Sequence, residues 1–144
     1  MVERRSSHQP AEIERWFIAF SDIVEPAGWW RVFTRPGFGH CYCWRMPQSG
    51  VMLALNPLVH RIENAVLFGR ASDGVDAAKA KGHRVLVVER PVQEYDPARD
   101  KLVGRGLGVT CASVTAYLIG LEFSWRSTPW QLYRAALRAG AIEL

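Results

Sequence analysis

The sequence predicts an α+β domain in which an antiparallel sheet packs against helices. Three observations carry that class. Two segments of strand-forming residues, Phe38–Met46 and Val51–Asn56, flank the turn Pro47-Gln48-Ser49-Gly50, so they form antiparallel neighbours. A compact β-branched run, VLVVE, marks Arg84–Arg90 as a strand. Two helices with clear start signals close the chain. A mixture of this kind, with short turns between strands, argues for an antiparallel sheet with helices laid on it.

Taken in order, residues 1–10 read as a polar, mobile arm. Ala11–Val24 supports two readings. Ile13, Trp16, Phe17, Phe20, Ile23 and Val24 share a helical face, yet Trp16–Ser21 also suits a short strand. Pro26 and Gly28 end it, and a brief aromatic segment, Trp29–Phe33, runs to Pro36-Gly37. The hairpin of Phe38–Met46 and Val51–Asn56 follows, with Pro57 as its stop. Val59–Phe68 alternates imperfectly and is a candidate third strand. Ser72–Lys81 reads as a helix, with Ser72 as cap, Asp73 and Asp76 in the first turn, Lys79 and Lys81 in the last, and Gly82 after it. Beyond the Arg84–Arg90 strand, Val92–Gly108 is polar and then glycine-rich, a long loop. One helix runs from Thr110–Cys111 to about Leu121. The other has Thr128 as cap and Pro129 at its first position, and ends near Ala139 before Gly140. The expected order is (α or β)-β-β-β-α-β-α-α.

Composition narrows the function classes. A chain of 144 residues that is 49% hydrophobic and 22% charged can bury one real core, so residues 11–144 are expected to form a single domain. No apolar run approaches the roughly 20 residues of a membrane span. The charged N-terminus leads into no apolar stretch, so no secretory signal is expected, and a cytoplasmic or particle-associated setting follows. Three unevenly spaced cysteines do not make a disulfide scaffold. The net charge of +4 comes from fifteen Arg and three Lys spread along the chain. It gives no basic stripe, and nucleic acid is not the expected partner.

Cys111 carries the chemical interest. It follows GRGLGVT and opens a helix, where unpaired backbone N–H groups and the helix dipole favour an anion. Such a thiol becomes a thiolate nucleophile near neutral pH, and the same N–H groups can hold an oxyanion. The plainer reading is that Cys111, Val114 and Leu118 form the buried face of that helix. Of the four histidines, His40 lies inside a strand, which holds a base in place. Asn56 ends the neighbouring strand, where its amide can accept from the imidazole and fix the tautomer, or simply terminate the strand as Asn-Pro. Tyr42 and Trp44 share the His40 face and are candidates for lining a substrate groove, although tryptophans more often belong to cores. Cys41 and Cys43 fall on the other face, so His40-Cys41-x-Cys43 does not converge on a metal, and the two thiols are expected to pack opposite the active site. GRGLG lacks the GK[ST] of a phosphate loop. No cofactor or metal is implied.

The ordered trio of a strand histidine, a polar residue on the next strand and a helix-opening cysteine resembles the circularly permuted branch of the papain-like, NlpC-type thiol hydrolases. GFGHCYCWR is similar to that family's histidine strand, LALNP to the strand of its third residue, and GVTCASVTAYLIGL to its nucleophile helix. STPWQLYRAAL resembles the capped helix that often follows in phage-encoded and prophage-encoded members. The likeness spans about Trp29 to Leu137. The papain-type glutamine of the oxyanion hole has no match before Cys111, where Arg105 and glycines stand. The resemblance implies a permuted papain-like domain with Cys111 as nucleophile, His40 as base and Asn56 orienting His40. It implies a cysteine peptidase or acyl hydrolase acting on amides, esters or thioesters, with cell-wall peptides as one substrate class for a phage-related protein. The competing expectation is a non-catalytic virion or binding module that keeps the shell and partners other virion proteins.

Overall fold

The computed structural model describes residues 12–22, 35–58, 62–92, 110–122 and 127–144. The N-terminal arm, the Trp29–Phe33 segment and nearly all of the Val92–Gly108 loop lie outside the described residues. So does the Val59–Arg61 start of the third expected strand.

The ambiguous first segment is a strand, β1 (Ile13–Ser21). Its confusion with a helix has a physical cause. Residues Trp16 to Ser21 are buried without interruption, because β1 is central and covered on both faces, so the polar–apolar alternation that marks a half-exposed strand is missing. Next come β2 (His40–Gln48) and β3 (Val51–Pro57), joined at Ser49-Gly50. Gly50 takes φ 78°, the left-handed turn conformation open to glycine. Pro47 lies inside β2, and the β2–β3 register shifts between Arg45 and Gln48, as a residue without an N–H requires. β4 (Ile62–Phe68) pairs with β3, and β5 (Arg84–Pro91) pairs with β1.

α1 (Ala71–Ala80) starts at Arg70 rather than Ser72. Asp73 supplies the cap from inside the helix, its carboxylate accepting from the Arg70 N–H at 2.7 Å. α2 (Cys111–Leu118) and α3 (Pro129–Arg138) begin where expected, each with a reciprocal box at its N-terminus. A two-residue strand, β6 (Ile142–Glu143), ends the chain against β5; at two residues it leaves no periodicity to read.

The sheet order is β4-β3-β2-β1-β5-β6, with every neighbouring pair antiparallel. It is therefore an α+β fold. Two buried clusters separate across the sheet. On one face Trp16, Ile18, Phe20, Cys41, Cys43, Leu86 and Val88 pack with the buried sides of α2 and α3. On the other, Phe17, Ala19, Trp44, Met52 and Val85 pack with Ala78 and Val75 of α1. The outer strand β4 is exposed along its whole length, with Val66 62% and Phe68 85% exposed. No helix among the described residues is long and apolar enough to cross a membrane.

Candidate active site

The site forms at one end of the sheet, where β2 begins. Gly39 donates to the Ser21 carbonyl at 2.8 Å, and His40 is paired with Ser21 of β1. On the other side, the β2–β3 rungs stop toward this end at Cys43–Leu55, while β3 runs on through Asn56 to Pro57. Asn56 shares a sheet face with Ala54 and so with Trp44, placing it diagonally across from His40.

That diagonal is closed by a hydrogen bond. His40 Nε2 and Asn56 Oδ1 are 2.7 Å apart. The amide orientation is fixed from behind, since Asn56 Nδ2 donates to the Glu63 carboxylate at 3.3 Å. Oδ1 can only accept, so Nε2 carries the proton in this bond. Nδ1 is then the ring nitrogen left to exchange a proton elsewhere. Glu63 stands directly opposite Asn56 in the β3–β4 register, so it supports the pair by strand pairing.

Cys111 approaches from the helical layer. It is the first residue of α2, is partly buried, and packs against the cluster that contains Cys41. The helix start is held firmly. Thr110 Oγ1 accepts from the Ser113 N–H at 3.0 Å, Ser113 Oγ accepts from the Thr110 N–H at 2.9 Å, and Thr110 Oγ1 donates to the Ser127 carbonyl at 2.6 Å. The last of these ties the start of α2 to the residues just before α3. At the other end, Arg90 of β5 donates to the carbonyls of Ile119 (3.1 Å) and Gly120 (2.6 Å), covering acceptors that the helix leaves open.

The Cys111 thiol is held well below its ordinary range. The largest cause is a hydrogen bond with the Cys41 thiol; burial opposes it; a hydrogen bond with His40 and the charge of that ring act next, and the Cys41 backbone adds a further bond. Cys41 is pushed well above the ordinary thiol range, first by complete burial and then by its neighbour Cys111. Of the two thiols, Cys111 is therefore the one that ionises first. His40 and Cys41 leave β2 on opposite faces, yet both act on one sulfur. They meet at the end of the strand, beyond the last β2–β3 rung.

Two expectations need correction. Cys41 does not pack away from the site; it faces the helix that Cys111 opens. Cys41 lies on the α2 face, with its Sγ 3.8 Å from Thr115 Oγ1, one helical turn along from Cys111. Strand alternation was read correctly, but it does not say that the helix opened by Cys111 lies on the Cys41 face. Trp44 lines no groove. It is 2% exposed, stacked on Phe17 at 5.4 Å, and covered by α1 at Gly74. Cys43 does pack as a core thiol, and burial pushes it up to about 12.

Tyr42 is half-buried, and its hydroxyl lies 3.0 Å from His83 Nδ1. His83 is lowered, first by burial, then by the charges of Lys81 and His40. The influence of His40 puts the Tyr42–His83 pair beside the site. Sequence reading also missed Glu63, whose signal was available as the β4 residue that antiparallel pairing sets opposite Asn56. Among the described residues no group of three or more His, Cys, Asp or Glu side chains is arranged to hold a metal ion. A cavity of about 440 Å³, lined by Arg35, Pro36, Phe38, Arg84, Trp130 and Tyr133, opens at the same end of the sheet. The arrangement sets a thiol held low at a helix start near an imidazole oriented by Asn56, a combination able to support nucleophilic chemistry. Comparisons of the chain with protein-family models, with curated proteins and with solved structures found no match.

Proposed function

We propose that the protein is a cysteine-dependent acyl hydrolase or peptidase, with a permuted papain-like arrangement in which the histidine strand precedes the nucleophile helix. The observation that carries this reading is the hydrogen-bonded run Glu63–Asn56–His40, with His40 among the groups that hold the Cys111 thiol low. The Cys111 thiolate attacks the acyl carbon, and the carbonyl electrons move to oxygen. Backbone N–H groups of the first turn of α2 hold that oxyanion. The imidazolium of His40 gives its Nδ1 proton to the departing amine, alkoxide or thiolate, and a Cys111 thioester remains. His40 then takes a proton from water, whose oxygen attacks the thioester; the acid leaves and the thiolate returns. Asn56 keeps the ring in one orientation throughout. Substrates are amides, esters or thioesters, with the peptides of a bacterial cell wall as the class that a phage-related protein meets.

A second reading, a non-catalytic binding or virion module, draws on β4, whose apolar side chains stand exposed at the sheet edge. One experiment separates the two. A limiting amount of a thiol-reactive acylating probe is added to the reduced protein, and the modified residue is mapped by mass spectrometry. The active-site reading expects a single fast adduct on Cys111 that is lost in His40→Ala. Equal, slow labelling of all three thiols would sink it and favour the module.

A further inference from the structure

We propose that Cys111 and Cys41 form a redox-active dithiol, which a hydroperoxide oxidises to an intramolecular disulfide. The proposal uses the same Cys111 as the acyl chemistry but needs neither an acyl substrate nor His40 as base, so either can fail without the other.

The geometry rests on two elements meeting at one point. Cys41 sits on the central strand β2 with no exposed surface. Its sulfur touches Thr115 of α2, and Cys111 lies one turn from Thr115 on the same helical side, packed against the cluster that holds Cys41. Both thiols are free, and each is among the groups that displace the other's titration. A strand thiol facing one turn of a helix and a thiol one turn earlier on the same helix side lie within the range that a disulfide of roughly 2.05 Å S–S length can bridge after a local shift.

Accessibility sets the order of events. Cys41 is fully buried and Cys111 only partly, so a hydroperoxide meets Cys111 first. Its thiolate attacks one peroxide oxygen. The S–O bond forms, the O–O bond breaks, and the departing alkoxide takes a proton to leave as an alcohol (water, for hydrogen peroxide). Cys111 is now a sulfenic acid. The Cys41 sulfur then attacks the Cys111 sulfur and releases its proton, the S–O bond breaks, and the hydroxyl leaves with that proton as water. In sum, two thiols and one hydroperoxide give a disulfide, an alcohol and water; sulfur loses two electrons and the peroxide gains them. A dithiol reductant reverses the change by thiol–disulfide exchange. Cys43 is also fully buried on this face, so the linkage must be mapped to separate it from Cys41. Cys41 thus protects the nucleophile from irreversible oxidation, and acyl chemistry stops while the disulfide holds.

The test uses the full chain, reduced, freed of reductant and treated with one equivalent of hydrogen peroxide. Titratable thiols under denaturing conditions are expected to fall from three to one. The intact mass should drop by two hydrogens, and a dithiol should restore both. Cys41 and Cys43 fall in one tryptic peptide, so the Cys41–Cys111 link is mapped in Cys43→Ser. In Cys41→Ser, Cys111 should instead gain two oxygens as a sulfinic acid, at a peroxide dose that leaves the wild type free of it. Two added oxygens on wild-type Cys111, a disulfide only between chains, or a Cys41–Cys43 link would each overturn the proposal. A disulfide that forms in a protein whose Cys111 ignores the acylating probe would keep this inference and remove the hydrolase.

Discussion

Removing the Asn56 amide should raise the titration of Cys111 without destroying its nucleophilicity. The bond at stake is the 2.7 Å contact between His40 Nε2 and Asn56 Oδ1, in a partly buried setting. A hydrogen bond of that kind contributes about 1–1.5 kcal/mol, and each unit of pKa corresponds to about 1.4 kcal/mol. In Asn56→Ala the charged ring loses its partner and its fixed orientation, so the imidazolium–thiolate pair weakens by about that amount. The Cys111 thiol is lowered in part by His40, so its titration should move up by about one unit. The assay is the rate of alkylation of Cys111 across pH. Well below the thiol's titration the variant should react about tenfold more slowly, because the thiolate fraction is about tenfold smaller. At alkaline pH, where both proteins are fully ionised, the rates should converge. A uniform loss at every pH, or a profile unchanged by Asn56→Ala, would refute the coupling.

Three further outcomes are expected. In Gly74→Ala the added Cβ would sit 3.0 Å from Trp44 Nε1, 3.1 Å from Cε2 and 3.3 Å from Met52 Sδ; crowding of about 2 kcal/mol should exceed the helix-propensity gain of about 1 kcal/mol, and a raised urea midpoint would contradict it. Arg90→Met removes both donors from the Ile119 and Gly120 carbonyls, and should lower unfolding free energy by about 1–2 kcal/mol in urea titrations; an unchanged midpoint would mean the bonds contribute nothing. Cys43, raised to about 12 by burial, stays protonated in the folded chain while the unfolded thiol ionises near 9. Its contribution is therefore whole below pH 9 and is lost toward pH 12, by up to about 1.4 kcal/mol per unit, so the alkaline fall in stability should be shallower in Cys43→Ala than in wild type.

The strands and helices with local signals were legible. The hairpin at Ser49-Gly50, the Thr128-Pro129 start of α3 and the Cys111 start of α2 each rest on residues within one turn of each other. What was ambiguous lacked a local signal. β1 is buried on both faces, so its sequence carries no alternation. β6 is too short to show any. Within the site, His40 and Asn56 were legible as neighbours because a short turn fixes antiparallel pairing. The role of Cys41 was not, because it depends on which face of the sheet receives a helix seventy residues later. Trp44 was misplaced for a related reason, since α1 covers the face that would otherwise line a groove. Alternation assigns faces, but only tertiary packing says what each face meets.

The adjacency of His40 and Cys41 has a consequence for how the site tolerates change. Two neighbouring residues serve one sulfur from opposite sides of a single strand. A one-residue deletion at Gly39 that shifted β2 against its neighbours would not remove either group. It would exchange their sides, turning the imidazole into the helical core and the thiol toward Asn56. The site is thus guarded by length as much as by identity. In the turn before β2, substitutions that preserve residue count should be accepted far more readily than insertions or deletions.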